Sequence, residues 1–288
     1  MKDLELLLKD EYINSFLKEN NVSERYALDH LYTLERVFES RKKCESCKGL
    51  EECDQSSQGM RLALSYDGGF VEEVEYCPYA IKIVERRRLK NAYVYCDIAD
   101  EMLDLRLESI NYKEDQKKLY LLLAAILYKK SDKGLYICGD LGVGKTYLCS
   151  ALANSLVANK EKVAFVKVSN FFNEMKGFFN TDPSMIDVNI NRLKKASYLF
   201  FDDIGSEAVS EFVRDDILFR ILDYRLENKL ITIFTSNLNK EELLKHYQYD
   251  RKEKANLMNA KRLMERIDIL TDNYVLSGTD LRREINYQ

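Results

Sequence analysis

The sequence predicts an α/β protein, a parallel sheet with helices on both faces, preceded by a small helical and cysteine-bearing segment. Three observations predict it. From Lys133 onward short apolar runs alternate with helical stretches, the pattern of parallel strands joined by crossover helices. A glycine-rich Gly139-x4-Gly144-Lys145-Thr146 run follows one of those apolar segments. Four of the seven cysteines fall upstream, between Cys44 and Cys77.

The elements follow in order. Residues 3–19 carry Leu4, Leu8, Tyr12 and Phe16 at every fourth position, which predicts an amphipathic helix. A second helix is expected from about Ser23 to Lys43, with Ala27, Leu31, Leu34 and Phe38 on one face. Leu62–Tyr66 and Phe70–Tyr76 flank Asp67-Gly68-Gly69, a hairpin signature. Such a hairpin would return Cys77 to the neighbourhood of Cys53. Residues 80–118 read as charged helix with few punctuators, hence a helical connector. The predicted strands are Leu135–Cys138, Val163–Val168, Tyr198–Phe201 and Ile231–Thr235. The expected division is 1–85 for the helical and cysteine-bearing part, 86–110 for the connector, and 111–288 for the sheet domain.

Composition narrows the function classes. The chain has 288 residues, 46% hydrophobic and 32% charged, with a formal net charge of −4. That is enough apolar side chain for a real core, which excludes a wholly disordered chain. It holds 11 Gly and 2 Pro, well under half of the roughly 12% average usage, which favours helix over long flexible linkers. The longest strongly apolar run, Leu119–Leu127, falls far short of the roughly 20 residues of a membrane span. The acidic start Met1-Lys2-Asp3-Leu4-Glu5 lacks the apolar stretch of a signal peptide, so a cytoplasmic location is expected. A pI near 5.6 argues against wholesale coating of nucleic acid. The clusters Arg41-Lys42-Lys43 and Arg86-Arg87-Arg88 read as solvated helix ends.

The chemistry concentrates at three predicted strand tips. Gly139-Asp140-Leu141-Gly142-Val143-Gly144-Lys145-Thr146 follows the β-rich run Gly134–Cys138 and precedes a helix expected from Lys145 to about Ala158. In that context the loop amides and the helix N-terminus form a cradle for nucleotide phosphates. Lys145 would contact the β- and γ-phosphates of ATP, and the Thr146 hydroxyl would ligate Mg²⁺. Tyr198–Phe201 ends in Asp202-Asp203, the pattern of a buried strand delivering carboxylates at its tip. Asp202 would hold Mg²⁺ and Asp203 would polarise the attacking water, or either acid would cap the helix near Ser210. Ile231–Thr235 ends in Ser236-Asn237, and an Asn there can orient the lytic water.

The cysteines form a separate candidate site. Cys44-x2-Cys47-x5-Cys53-x23-Cys77 supplies four thiols, and four thiolates bind Zn²⁺ tetrahedrally. In so small a segment the metal would contribute folding free energy directly. Cys138 and Cys149 lie in apolar segments and read as small buried hydrophobes.

The loop at 139–146, Phe-Asp-Asp-Ile-Gly-Ser-Glu at 201–207, Thr-Ser-Asn at 235–237 and Arg-Leu-Met-Glu-Arg-Ile at 262–267 occur in that order. The chain thereby resembles the bacterial replicative helicase loaders of the AAA+ class, in detail over residues 110–288. The cysteine-bearing segment resembles the branch whose N-terminal domain binds zinc and docks on the helicase. The resemblance implies a weak, assembly-stimulated ATPase that places a hexameric helicase on single-stranded DNA with other primosome proteins, associating with itself on DNA or helicase. It implies Asn237 as the sensor-1 residue and Arg266 as the finger that completes a neighbour's site, with Arg262 as the alternative. It places Arg282 at the family's sensor-2-like arginine. What remains after residues 262–267 is too short for a full lid domain.

Alternatives remain at this stage. A transposition helper ATPase shares the P-loop core, though the cysteine-rich segment weighs against it. A small-molecule P-loop kinase would want a lid and an acceptor pocket, and a zinc-dependent scaffold would not need the full set Lys145, Thr146, Asp202 and Asp203. The segment Asn170–Phe179 interleaves aromatics with Lys176, so it either stacks on DNA bases or packs in the core.

Overall fold

The computed structural model describes residues 4–249 and 256–280. The chain divides into two compact units, 1–87 and 88–288.

The first unit begins with α1 (Leu4–Leu7) and α2 (Glu11–Glu19), where a single helix was expected. The break falls at Asp10, whose carboxylate accepts from Ile13 N at 3.0 Å. That N-cap bond starts a new helix rather than continuing the old one. The second expected helix is likewise divided into α3 (Glu24–Asp29) and α4 (Leu31–Glu45). Ser23 caps α3 through Tyr26 N at 3.2 Å. The hairpin is present as β1 (Met60–Tyr66) and β2 (Phe70–Tyr76), in register from Met60–Tyr76 to Tyr66–Phe70. Leu7, Ile13, Leu17, Ala27, Leu34, Val37 and Leu64 form the small core between helices and hairpin.

Helix α5 (Pro78–Ala92) is followed by the short strand β3 (Tyr95–Cys96). Here the helical connector expected over 86–110 is corrected. Helix stops at Ala92, and residues 93–116 form a strand and three 3-10 turns. The reason is tertiary. Val94 N donates to Val163 O at 2.8 Å and Asp97 N to Phe165 O at 2.9 Å, so the segment adds an edge to the sheet. Tyr93, Ile98, Leu103, Leu107 and Ile110 are buried in one face of the second unit's core. Their burial outweighs the weak helical preference of the charged residues between them.

The second unit continues with α6 (Lys117–Leu127), β4 (Gly134–Cys138), α7 (Lys145–Ala158), β5 (Val163–Lys167), α8 (Val168–Thr181), α9 (Ser184–Lys195) and β6 (Tyr198–Asp202). A π-helical stretch, Phe212–Phe219, leads into α10 (Arg220–Glu227), β7 (Ile231–Ser236), α11 (Lys240–Gln248), α12 (Leu257–Leu270) and β8 (Thr271–Val275). The six strands pair in parallel in the order β3-β5-β6-β7-β4-β8. The four predicted core strands are all present, and β3 and β8 add the edges. Among the described residues no helical lid follows β8, and no helix is long and apolar enough to cross a membrane.

Alternation along the strands builds two core layers. Tyr136, Cys138, Ala164, Val166, Leu199 and Phe201 face one layer. Leu135, Ile137, Val163, Phe165, Tyr198 and Phe200 face the other. Because both faces are covered, β4 and β6 are buried at every position. Continuous apolar runs are what such strands require.

Candidate nucleotide-binding site

The site is built where β4, β7 and β6, adjacent in the sheet, end at the same side. Ligands of open α/β sheets bind at such carboxyl ends. The chain leaves β4 into the glycine loop and enters α7 at Lys145, with Gly144 as its N-cap. Gly139 is required by a close approach: a Cβ there would lie 2.0 Å from Leu276 O, just beyond β8. Val143 is buried in the core while Leu141 stays exposed, so the loop is anchored on one side and open on the other. The aligned peptide dipoles of α7 favour negative charge at this end.

The predicted site residues from the three strand tips form one hydrogen-bonded set. Lys145 Nζ donates to Gly139 O and Asp140 O, each at 2.7 Å, and to Asn237 Oδ1 at 2.9 Å. Asn237 Nδ2 in turn donates to Asp203 Oδ1 at 2.9 Å. Thr146 Oγ1 donates to Asp202 Oδ1 at 2.8 Å. Burial holds the Lys145 ammonium below its ordinary value, against the pull of Asp203, Asp202 and Asp140. Burial also pushes the Asp202 carboxyl up, opposed by the hydroxyls of Thr235 and Thr146. Neither acid caps the helix beyond residue 210. Ser210 does so itself, accepting from Val213 N at 3.2 Å.

A hydroxyl and a carboxylate oxygen side by side make a hard, oxygen-only donor set. That set fits Mg²⁺, which is bound through one or two carboxylates together with substrate phosphates. Thr146 and Asp202 are therefore the residues suited to hold it.

Two supporting residues escaped the sequence reading. Thr235 Oγ1 donates to Asp202 Oδ1 at 2.7 Å and accepts from Asp203 N at 2.9 Å, fixing both acids from the neighbouring strand. Its place one residue inside the tip of β7 is the signal that could have revealed it. Gln116, 3% exposed, donates to Val143 O at 2.9 Å and so ties the P-loop to the segment before α6. No local pattern marks it, because its partner is 27 residues away.

The remaining predicted residues stand apart from this set. Arg266 on α12 pairs with Asp223 Oδ1 at 3.1 Å and with Glu265 Oε2 at 2.8 Å, its guanidinium 5.0 Å from the Phe219 ring centroid. Arg262 lies 4.6 Å from the same centroid. Arg282 lies outside the described residues. In α8, Phe171 and Phe172 are fully buried, which favours core packing over base stacking for these two rings. Phe179 is half exposed and lies 4.4 Å from the Phe212 ring.

The four-cysteine zinc expectation finds no support among the described residues. The hairpin does return Cys77, whose N–H donates to Gly59 O at 2.8 Å, while Gly59 N donates to Cys53 Sγ at 3.4 Å. Cys44 Sγ accepts from Gln55 at 3.2 Å, and Cys47 Sγ donates to Gly49 O at 3.2 Å. Cys77 Sγ accepts from Ala80 N at 3.4 Å. Among the described residues no group of three or more His, Cys, Asp or Glu side chains is arranged to hold a metal ion.

Comparison with known proteins places this geometry. The family model described as IstB-like ATP binding protein matches residues 72–274. The replicative helicase loader DnaI of Bacillus subtilis is 28% identical over 288 residues, covering 96% of this chain and 91% of that protein. The replicative helicase loader DnaC of Escherichia coli strain K12 is 29% identical over 107 residues, 37% of this chain and 43% of that protein. A solved crystal structure of DnaI superposes with a TM-score of 0.56 at 32% identity, covering 66% of this chain and all of that one. The six-stranded parallel sheet with its P-loop is the AAA+ fold of these neighbours.

Proposed function

The chain belongs to the IstB-like ATP-binding family, and from that premise we propose that it is an ATP-dependent loader of the replicative DNA helicase. The observation that carries this reading is the likeness to the loader DnaI over 96% of the chain. That likeness extends well upstream of residue 72, where the shared ATP-binding model begins. The upstream agreement favours a loader over a transposition helper, which would share the P-loop core alone.

The proposed chemistry is in-line attack of water on the γ-phosphate of ATP. The loop amides and the α7 N-terminus hold the phosphates, and Lys145 neutralises part of their charge. Thr146 and Asp202 would hold Mg²⁺, which when bound would supply positive charge to offset that of the phosphates. Asp203 and Asn237, already joined at 2.9 Å, orient the water from one side. Arg266 would leave Asp223 and act on a neighbouring subunit's γ-phosphate. Arginine fingers contribute on the order of 10³–10⁵ in rate, so the isolated subunit should hydrolyse ATP slowly. Residues 1–85 would contact the hexameric helicase in the cytoplasm, and 111–288 would self-associate and meet single-stranded DNA and other primosome proteins.

The test is assembly. The purified chain is mixed with the hexameric replicative helicase of the same cell and resolved by size-exclusion chromatography. Helicase transfer onto circular single-stranded DNA is then scored with and without ATP. A complex and ATP-dependent transfer are expected; absence of any complex would overturn the reading.

A further inference from the structure

Glu207 closes the segment Phe201–Glu207 but takes no part in the nucleotide site described above. It is only 4% exposed, and its carboxylate is divided between two elements. Oε2 accepts from Gly205 N at 2.8 Å. Oε1 accepts a hydrogen bond from the hydroxyl of Tyr247, a fully buried residue of α11. His246 Nε2, 4.0 Å from the same oxygen, is beyond hydrogen-bond reach, so Tyr247 makes the contact.

The turn that Glu207 grips is the one that aims Asp203. Asp203 has φ +60°, in the left-handed region, where a non-glycine residue is sterically strained. It persists because its surroundings fix it. Its N–H donates to Thr235 Oγ1, and its carbonyl accepts from Ser206 N at 3.2 Å and Ser206 Oγ at 2.7 Å. Gly205, at φ +92°, is the second left-handed position in the same turn. A Cβ there would lie 2.8 Å from Leu238 Cδ1, so the backbone sits tight against the start of the β7–α11 connection. The Gly205 N–H finds its acceptor in Glu207. A carboxylate accepting from an amide and a phenol together makes stronger bonds than a neutral acceptor.

We propose that Glu207 is a positioning residue for ATP hydrolysis, pinning the left-handed turn that aims Asp203 and fastening it through Tyr247 to the helix that follows Asn237. The two groups that orient the attacking water then move as one unit. Asp203 is fixed from its own turn, and Asn237 from the connection into α11. The inference rests on the ATPase reading above. Glutamine can preserve the arrangement, since its oxygen accepts from Gly205 N and its amide donates to the Tyr247 oxygen. Alanine cannot.

The test is a kcat-against-affinity split on the full chain, assayed with helicase and single-stranded DNA present. Glu207→Ala should lose kcat on the order of tenfold or more, the scale set by small misplacements of a catalytic group. Its ATP affinity by nucleotide titration should stay within about twofold, because P-loop contacts are untouched. Glu207→Gln should recover most of the rate. Tyr247→Phe keeps the ring and its packing, so it tests the contact even where Glu207→Ala fails to fold. It should lower kcat several-fold and add little to Glu207→Ala in the double variant. Wild-type kcat in Glu207→Ala, or in Tyr247→Phe where that alone folds, overturns the proposal. Equal loss of affinity and rate, unrescued by glutamine, overturns it too. A wild-type chain that never hydrolyses ATP under these conditions would instead remove the ATPase reading.

Discussion

Lys145 Nζ donates to the side-chain oxygen of Asn237 at 2.9 Å across a sequence separation of 92 residues. The P-loop lysine and the tip of β7 are thus in direct contact. Since Asn237 also bonds Asp203 at 2.9 Å, one amide bridges the loop lysine and the second acid of the β6 tip.

Lys145→Ala should abolish tight ATP binding. Hydrogen bonds to charged groups contribute about 1.5–3 kcal/mol each, so affinity should weaken by roughly 10- to 150-fold. A fluorescent-nucleotide titration measures it. Unchanged affinity would remove the P-loop assignment.

Asp203→Asn and Asn237→Ala should both bind ATP normally and lose hydrolysis, by on the order of 10²-fold or more for the acid. Phosphate-release assays at saturating ATP distinguish them from Lys145→Ala. Normal turnover in Asp203→Asn would mean that another group orients the water.

Acid should weaken the magnesium-dependent part of ATP affinity. Burial raises the Asp202 carboxyl above its ordinary 3.8, and a carboxyl is neutral below its pKa. As pH falls through that raised value, Asp202 takes a proton and would no longer fill the cation-ligand role proposed above. The same direction means that ionised Asp202 costs stability at neutral pH, a cost relieved on acidification. Asp202→Asn should therefore flatten the pH profile of magnesium-dependent binding and leave Tm at pH 7 unchanged or raised. A profile that stays steep in Asp202→Asn assigns the titration elsewhere.

Arg266→Ala should bind ATP normally but lose assembly-stimulated hydrolysis if, as proposed, the guanidinium acts in a neighbour's site. Mixing it with Lys145→Ala subunits restores one complete site, since Lys145→Ala can lend its finger to a working P-loop. Partial recovery is expected only on helicase or DNA. A fully active Arg266→Ala monomer would end the idea.

Arg225→Met should destabilise the second unit by about 2–4 kcal/mol. The fully buried guanidinium donates to Leu193 O, Ala196 O, Ile231 O and Thr232 Oγ1 at 2.6–2.9 Å. Methionine leaves these carbonyls, and Lys194 O at 3.4 Å, without that donor. Urea denaturation measures the loss, and ATP affinity of the folded fraction should not change.

The sequence by itself determined whatever depends on neighbours along the chain. Continuous apolar runs named β4, β5, β6 and β7, because strands buried on both faces have no polar side to alternate. The glycine loop, Asp202-Asp203 and Asn237 were legible because strand tips place chemistry at a fixed offset from such runs. Tertiary structure decided what depends on partners far away. Residues 93–110 read as charged helix until Val163 and Phe165 offered their carbonyls to an edge strand, and β8 read as a leftover until it paired with β4. Among the described residues the four cysteines at plausible spacing are not arranged as one metal-ligating group, since spacing sets reach along the chain and the fold sets where each sulfur lies. Thr235, Gln116 and Glu207 hold the site through hydrogen bonds to groups brought close only by the fold. A hydrogen bond depends on the final position of both partners, and no periodicity along the chain records it.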